Sequence, residues 1–348
     1  MTEVFEGGAD PNASNGAKGG AALDLSVRDA AGLAHRVREG DCLKLMREME
    51  AESVDLVLTD PPYHATKKRN IRGDADFADD ASYLEWMDSL GAEWTRVLKP
   101  SGSLFVFCHP SLAGRIECVL SKRFHILNHL VWTKPDEPGF DGWGRKTRKE
   151  SLRSWFNRSE RIIFAERFHP AAPGRPYFAG LLREARTASG MSAHALTGAI
   201  GAHGRVNHGG AVSNWEAGRN APSAEQWERL RAVLTSLPPY GEAVRPFSLS
   251  AGAAYEDVFA HRPVRPHRGK HPAEKPVGML RELIEVTTPK GGAVLDCFGG
   301  SGSTAVAAAS CGRASVTFEV ERAWAERTLG RLREAAGAEG GAAPADSP

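Results

Sequence analysis

The chain has 348 residues, 41% of them hydrophobic, with 44 Lys+Arg against 43 Asp+Glu for a formal charge of +1. That length suits one large domain with an insertion or two domains, and the composition is ordinary for a globular protein with a sizeable core. No apolar run approaches the roughly 18–20 residues of a membrane span, no signal-peptide stretch opens the chain, and the near-neutral charge excludes a histone-like polycation. In chain order, residues 6–22 are rich in Gly, Ala and Ser without apolar periodicity. They cannot repay the entropy of ordering, so residues 1–27 are expected as a disordered tail. A strand follows at about Ala34–Gly40 and a helical pattern at Cys42–Met49. Next come strand Val54–Thr59, helix Tyr83–Val97, strand Ser103–Phe107, helix Ser111–Ser121, and strands Leu127–Thr133 and Arg161–Ala165. The rhythm resumes with strand Ala293–Phe298, helix Ser303–Ser310 and strand Ser315–Val320, before a second Gly/Ala-rich tail at 335–348. Strands alternating with helices predict an α/β fold built on a parallel, doubly wound sheet.

Residues 167–267 break that rhythm with clustered prolines and their own helical segments. Extended to Lys270, the stretch carries 13 Lys+Arg against 7 Asp+Glu in an otherwise neutral chain. It is expected as an insert between two parts of one domain, 28–166 and 268–334. The five cysteines form no C-x-x-C pair and read as reduced thiols in a cytoplasmic protein. The twelve histidines show no ligand spacing with them, so no metal is expected.

The sharpest motif is Asp60-Pro61-Pro62-Tyr63, directly after the strand VDLVLT. In an open α/β sheet, ligands bind beyond the carboxyl ends of the strands. There Asp60 can accept a hydrogen bond from a planar amino group, the prolines stiffen the backbone and free its carbonyls, and the Tyr63 ring can stack on a base. The bland alternative is a turn with an exposed tyrosine. The second motif, Asp296-Cys297-Phe298-Gly299-Gly300-Ser301-Gly302-Ser303-Thr304, ends one strand and opens a helix. Its glycines allow close backbone approach, and the helix N-terminus offers free N–H groups. Glu319 ends the next strand 20 residues after Gly299, the spacing at which an acid meets ribose hydroxyls. A helix N-cap turn beside a surface glutamate is the alternative.

Taken together, these motifs resemble the amino-group DNA methyltransferases, which methylate adenine N6 or cytosine N4 with S-adenosylmethionine. D-P-P-Y matches the family's catalytic motif and D-C-F-G-G-S-G-S-T its cofactor loop, with Cys297 and Ser303 where Pro and Thr are usual. His271-Pro272-Ala273-Glu274-Lys275-Pro276 resembles the family's H-P-T-x-K-P, with Ala273 for Thr. This implies that His271 and Lys275 serve the methionine end of the cofactor. The catalytic motif precedes the cofactor loop, with a long insert between, which is the β-type order of the family. The resemblance therefore implies a circularly permuted, Rossmann-like methyltransferase sheet, seven-stranded and mostly parallel, with a helical insert for target recognition. In that permutation Asp41, with Cys42 beside it, takes the place of the adenine-contacting acid; read alone, Asp41 is a helix N-cap.

Within the insert, Leu181–Leu234 resembles the phage-repressor helix-turn-helix, the motif spanning about 178–237. Ser213 and Asn214 would lie on the recognition helix, whose early residues reach base edges, with Arg205 and Arg219 nearby. Trp215 would pack beneath that helix and Gly218 would cap it; a small helical bundle is the alternative. Arg145, Lys146, Arg148 and Lys149 belong to a basic stretch, Gly142–Arg161, suited to phosphate contacts. The implied activity is methylation of adenine N6 in double-stranded DNA after base flipping. Asp60 at the first position of the motif favours adenine over cytosine N4. The rival readings are a cytosine-N4 enzyme and a DNA-binding regulator on an inert catalytic fold. By analogy, a homodimer and a restriction-enzyme counterpart are the expected partners.

Overall fold

The computed structural model describes residues 22–64, 76–134, 153, 155, 157–202, 210–245, 247, 256–265, 267 and 269–337. Among these residues the frame is a nine-stranded sheet. Five strands run parallel at its centre: β2 (Ala34–Glu39), β9 (Ala314–Glu319), β8 (Ala293–Asp296), β3 (Val54–Thr59) and β4 (Leu98–Cys108). β6 (Ser159–Arg167) pairs antiparallel with β4, and β5 (Phe124–Thr133) pairs antiparallel with β6. The expected seven strands are thus present in the order β2-β9-β8-β3-β4-β6-β5, with only β6 reversed. Two short strands extend the edges beyond that expectation. β1 (Asp24–Arg28) pairs antiparallel with β2, and β7 (Val258–Ala260) lies parallel to β5.

Both edge strands correct the boundaries read from sequence. Residues 24–27 are sheet rather than tail, because Leu23 is buried against the last helix and its N–H reaches Glu39 Oε2 at 3.0 Å. A stretch as short as DLSVR signals its strand only through the neighbour it pairs with. β7 likewise returns the end of the expected insert to the sheet.

Every residue of β3 is buried, because helices cover both faces. Val54 and Val57 face a core with α1 (Cys42–Arg47), α2 (Asp80–Val97) and α3 (Ala113–Leu120). Leu56 and Leu58 face α9 (Val277–Thr287) and α10 (Ser303–Ser310). α11 (Arg322–Gly337) packs beside α10 on that second face. The chain leaving β3 therefore turns to one face and the chain leaving β8 to the other. Neighbouring strands that part in this way open a crevice at their carboxyl ends.

Among its described residues the insert forms five helices: α4 (Tyr177–Ala188), α5 (Ala193–Ala199), α6 (Gly210–Glu216), α7 (Ala224–Val233) and α8 (Tyr240–Ala243). They share a separate core around Leu182, Leu196, Val212, Trp215, Trp227 and Leu230. Trp215 is buried under α6 and Gly218 follows it at φ +68°, both as expected. The insert is tied to the sheet through Glu166, which accepts from the Tyr177 N–H at 3.1 Å and pairs with Arg245 at 2.7 Å.

Candidate active site

The crevice between β3 and β8 holds a cavity of about 630 Å³, with Asp41, Asp60, Tyr63, His271, Phe298 and Glu319 among its lining residues. It has two ends with different chemistry.

At one end, Asp60-Pro61-Pro62-Tyr63 leaves the carboxyl end of β3. Asp60 Oδ2 accepts from Lys275 Nζ at 2.5 Å, while Asp60 Oδ1 is buried and has no hydrogen-bond partner among the described residues. Lys275 Nζ also lies 3.2 Å from Glu160 Oε2, which accepts from the Tyr63 hydroxyl at 2.7 Å. The other Glu160 oxygen accepts from Lys134 Nζ at 2.6 Å. The Lys275 ammonium sits 5.3 Å from the Tyr63 ring centroid and 5.2 Å from that of Phe107, within cation–π range of both. Two buried carboxylates thus meet two lysines. Burial pushes the Asp60 carboxyl up, Lys275 pulls it back and Glu160 adds to the rise, leaving it above the ordinary value. Burial opposes the Lys275 charge, but Asp60 and Glu160 outweigh it and hold the ammonium above the usual lysine range. Glu160 also faces a burial penalty, which Lys275 and Lys134 overcome, so its carboxyl stays well below normal.

At the other end, β8 runs into the glycine loop. Asp296 Oδ1 accepts from Thr59 Oγ1 and from the Phe298 N–H, each at 3.1 Å, and so clamps β8 to β3. Burial lifts its carboxyl to about 6. Gly299 passes so close to β9 that a Cβ there would lie 2.3 Å from Thr317 Cγ2, and Gly302 opens α10 at φ +80°. Only glycine meets both demands without strain. The Gly300 N–H donates to Glu319 Oε2 at 2.7 Å, and the Glu321 N–H to Oε1 at 2.8 Å. The Gly40 N–H bonds the Glu319 carbonyl at 2.9 Å, which sets Asp41 next to Glu319. Asp41 caps α1 by accepting from the Lys44 N–H at 3.0 Å, and it also lines the cavity. His271 packs edge-on to Trp324 with centroids 4.7 Å apart. Burial and then the Lys275 charge press its ring down to about 4, so it is neutral near pH 7. Arg331 donates to the Ser301 carbonyl at 2.8 Å and pairs with Glu274 at 3.1 Å, joining the loop to the segment before α9. Cys42 and Cys297 are both buried, and burial raises both thiols, Cys42 to about 12.

Asp60 to Tyr63, Asp41, Cys42, His271 and Asp296 to Ser301, with Ser303, Thr304 and Glu319, all line this one cavity. Gly302 is not among the lining residues, and a Cβ there would lie 2.6 Å from Thr328 Cγ2. Lys275 lines it as well, but with its charge on Asp60 rather than at the glycine loop. Glu160, Lys134, Trp132 and Thr59 were not singled out from sequence. β6 runs antiparallel to β4, so its first residues, paired with Trp132 and Thr133, sit at the ligand edge of the sheet. That reversal shows only in the sheet pairing, so no local sequence signal marks Glu160. Ser213 and Asn214 are half-buried on α6, and Asn214 Oδ1 accepts from exposed Arg219 at 3.0 Å. Arg145, Lys146, Arg148, Lys149 and Arg205 lie outside the described residues. Among the described residues no group of acids, histidines and cysteines has a metal-binding arrangement.

A family model described as DNA methylase (N6/N4) matches residues 54–328. The chain is 22% identical over 300 residues to the DNA adenine methyltransferase YhdJ of Escherichia coli, covering 86% of this chain and 83% of that protein. It is 25% identical over 259 residues to the Type II methyltransferase M.HindIII of Haemophilus influenzae, covering 73% and 70%. In fold it is similar to the Thermus thermophilus protein TTHA0409, described as a DNA modification methylase, with TM-score 0.51, 20% identity and coverage of 87% and 97%. It is equally similar to the cytosine-N4-specific PvuII DNA methyltransferase, with TM-score 0.51, 17% identity and coverage of 85% of each chain. With the family model spanning most of its length, the chain belongs to the N6/N4 DNA methylase family.

Proposed function

We propose that this protein transfers a methyl group from S-adenosylmethionine to adenine N6 in double-stranded DNA. The observation that carries this reading is Asp60 Oδ1, a buried carboxylate oxygen without a hydrogen-bond partner among the described residues, beside a second oxygen already held by Lys275. An exocyclic amino group supplies the donor that this oxygen lacks. Burying an acceptor without a partner costs about 1–3 kcal/mol, so the site is built to gain when a donor arrives.

The cavity fits the cofactor on the chemistry of its lining. The Gly299–Gly302 loop admits close approach of a ligand, Glu319 stands at the end of β9, and neutral His271 and the Phe298 ring supply apolar surface. These residues would hold S-adenosylmethionine, which supplies an electrophilic methyl group. The chain itself must do three things. First, the target base has to leave the duplex stack to reach Asp60, at a cost of a few kcal/mol. Second, Asp60 Oδ1 and the Pro61 carbonyl accept from the amino group and draw its lone pair out of conjugation with the ring. Third, Tyr63, pinned by Glu160, presents a fixed ring for the base to stack on. The gain comes from positioning and fixed electrostatics; no nucleophilic side chain is required, and the buried thiols take no part.

The insert is the proposed sequence reader, with Ser213 and Asn214 of α6 turned to base edges. Adenine is preferred to cytosine because a full carboxylate at the first motif position is the stronger acceptor for a delocalised amine. The test is to incubate the protein with DNA and S-adenosylmethionine, hydrolyse the product and separate the nucleosides. N6-methyladenine is the expected product. N4-methylcytosine in its place would move the assignment to the second base, and an unmethylated product would leave a DNA-binding regulator.

A further inference from the structure

Glu160 belongs to none of the motifs above, yet three side chains of the site converge on it. Its Oε2 accepts from the Tyr63 hydroxyl at 2.7 Å and lies 3.2 Å from Lys275 Nζ, while Oε1 takes Lys134 Nζ at 2.6 Å. These partners come from the turn after β3, the segment before α9 and the end of β5. A surface ion pair would be worth little, but this carboxylate is largely buried, and its side chain is only 14% exposed. Such a group needs its partners, and in return it fixes them.

We propose that Glu160 is a positioning residue for methyl transfer: it locks the Tyr63 ring and holds Lys275 on one oxygen of Asp60, reserving the other for the amino group. The proposal rests on the amino-methylation reading above. Without Glu160, Lys275 can straddle both Asp60 oxygens and compete with the substrate for Oδ1, and the Tyr63 hydroxyl, which also bonds the Asp60 side chain, turns from Glu160 toward Asp60. Either displacement shifts the base relative to the methyl donor. The groups facing Asp60 are Lys275, Glu160, Tyr63, the Cys108 thiol at the end of β4 and Asp296 at the end of β8. Of these, Lys275 lowers the Asp60 carboxyl, Glu160 raises it and the Tyr63 hydrogen bond lowers it.

Glu160→Gln keeps the shape and removes the charge. Relative to wild type, kcat should fall by roughly ten- to a hundredfold, as for a misplacement near 1 Å, with KM for S-adenosylmethionine unchanged. The acid limb of the kcat profile should move to lower pH, because Asp60 loses a neighbouring negative charge. Loss of fold alone would not move that limb in this direction. A second readout needs no activity. The hydrogen bond that the Tyr63 phenol donates to Glu160 at 2.7 Å is read near neutral pH by ultraviolet resonance Raman, after subtracting the spectrum of Tyr63→Phe. In Glu160→Gln the tyrosine doublet should report a weaker donated bond. An unmoved doublet, or a kcat within twofold of wild type with an unmoved acid limb, overturns the proposal. A wild-type protein that methylates no DNA overturns the functional reading instead, while the doublet still decides whether Glu160 holds Tyr63.

Discussion

A carboxylate taken out of water keeps its charge only if a cation stands beside it, and at Asp60 that cation is Lys275. The pair offsets part of the burial that pushes this acid toward its neutral form. Lys275→Met should therefore push the Asp60 carboxyl further up, since burial remains and the lowering charge is gone. The ionised acceptor would then be lost at a higher pH than in wild type. The expected outcome is an acid limb of the methylation rate moved to higher pH than in wild type, in an assay of tritium transfer to DNA. Activity that falls equally at all pH values would contradict this role for Lys275. Asp60→Ala should abolish transfer but leave cofactor binding by calorimetry near wild type, because the glycine loop and Glu319 sit on other strands. Glu319→Ala should do the reverse and weaken S-adenosylmethionine binding by about 1–3 kcal/mol. Part of that loss is local order, since both Glu319 oxygens also hold backbone N–H groups of the cavity wall.

Among the elements, the insert is the one with its own core. Phe178, Leu196, Trp215 and Trp227 pack with one another and not into the cores on either face of the sheet. Replacing residues 178–237 by a short flexible linker should thus leave the sheet folded and the cofactor bound, as read by circular dichroism and calorimetry. Sequence preference should be lost, each base contact being worth roughly 1–3 kcal/mol of discrimination. Unchanged selectivity, read by sequencing methylated DNA, would move recognition out of the insert.

For the whole molecule, a buried ion pair joins the sheet to the helical insert. Glu166 on β6 and Arg245 after α8 form a pair at 2.7 Å with both side chains 10% exposed, and Arg245 also donates to the Gly102 carbonyl at 3.1 Å. Glu166→Ala leaves that guanidinium buried without its counter-charge, at a cost of about 3–5 kcal/mol. The expected result is a lower thermal midpoint with the pocket chemistry unchanged in cofactor titrations. A midpoint equal to wild type would show that the pair carries little of the coupling.

By itself, the sequence determined seven of the nine described strands and the two loops that end β3 and β8. β3 and α10 fall where apolar run, glycine and cap residues predicted them, because hydrophobic periodicity and turn chemistry are local. The motif residues were legible for the same reason: Asp60 to Tyr63 and Asp296 to Thr304 are continuous in the chain. What only the tertiary structure decided is what those residues face. Lys275 is 215 positions from Asp60 and Glu160 is 97 from Tyr63; no spacing rule joins them, and their charges are set by burial that exists only once the sheet is closed by its helices. The edge strands β1 and β7 were hidden likewise, since five and three residues have no strand identity until a neighbour pairs with them. Local pattern writes the elements, and the reversed β6 brings the second carboxylate to the first.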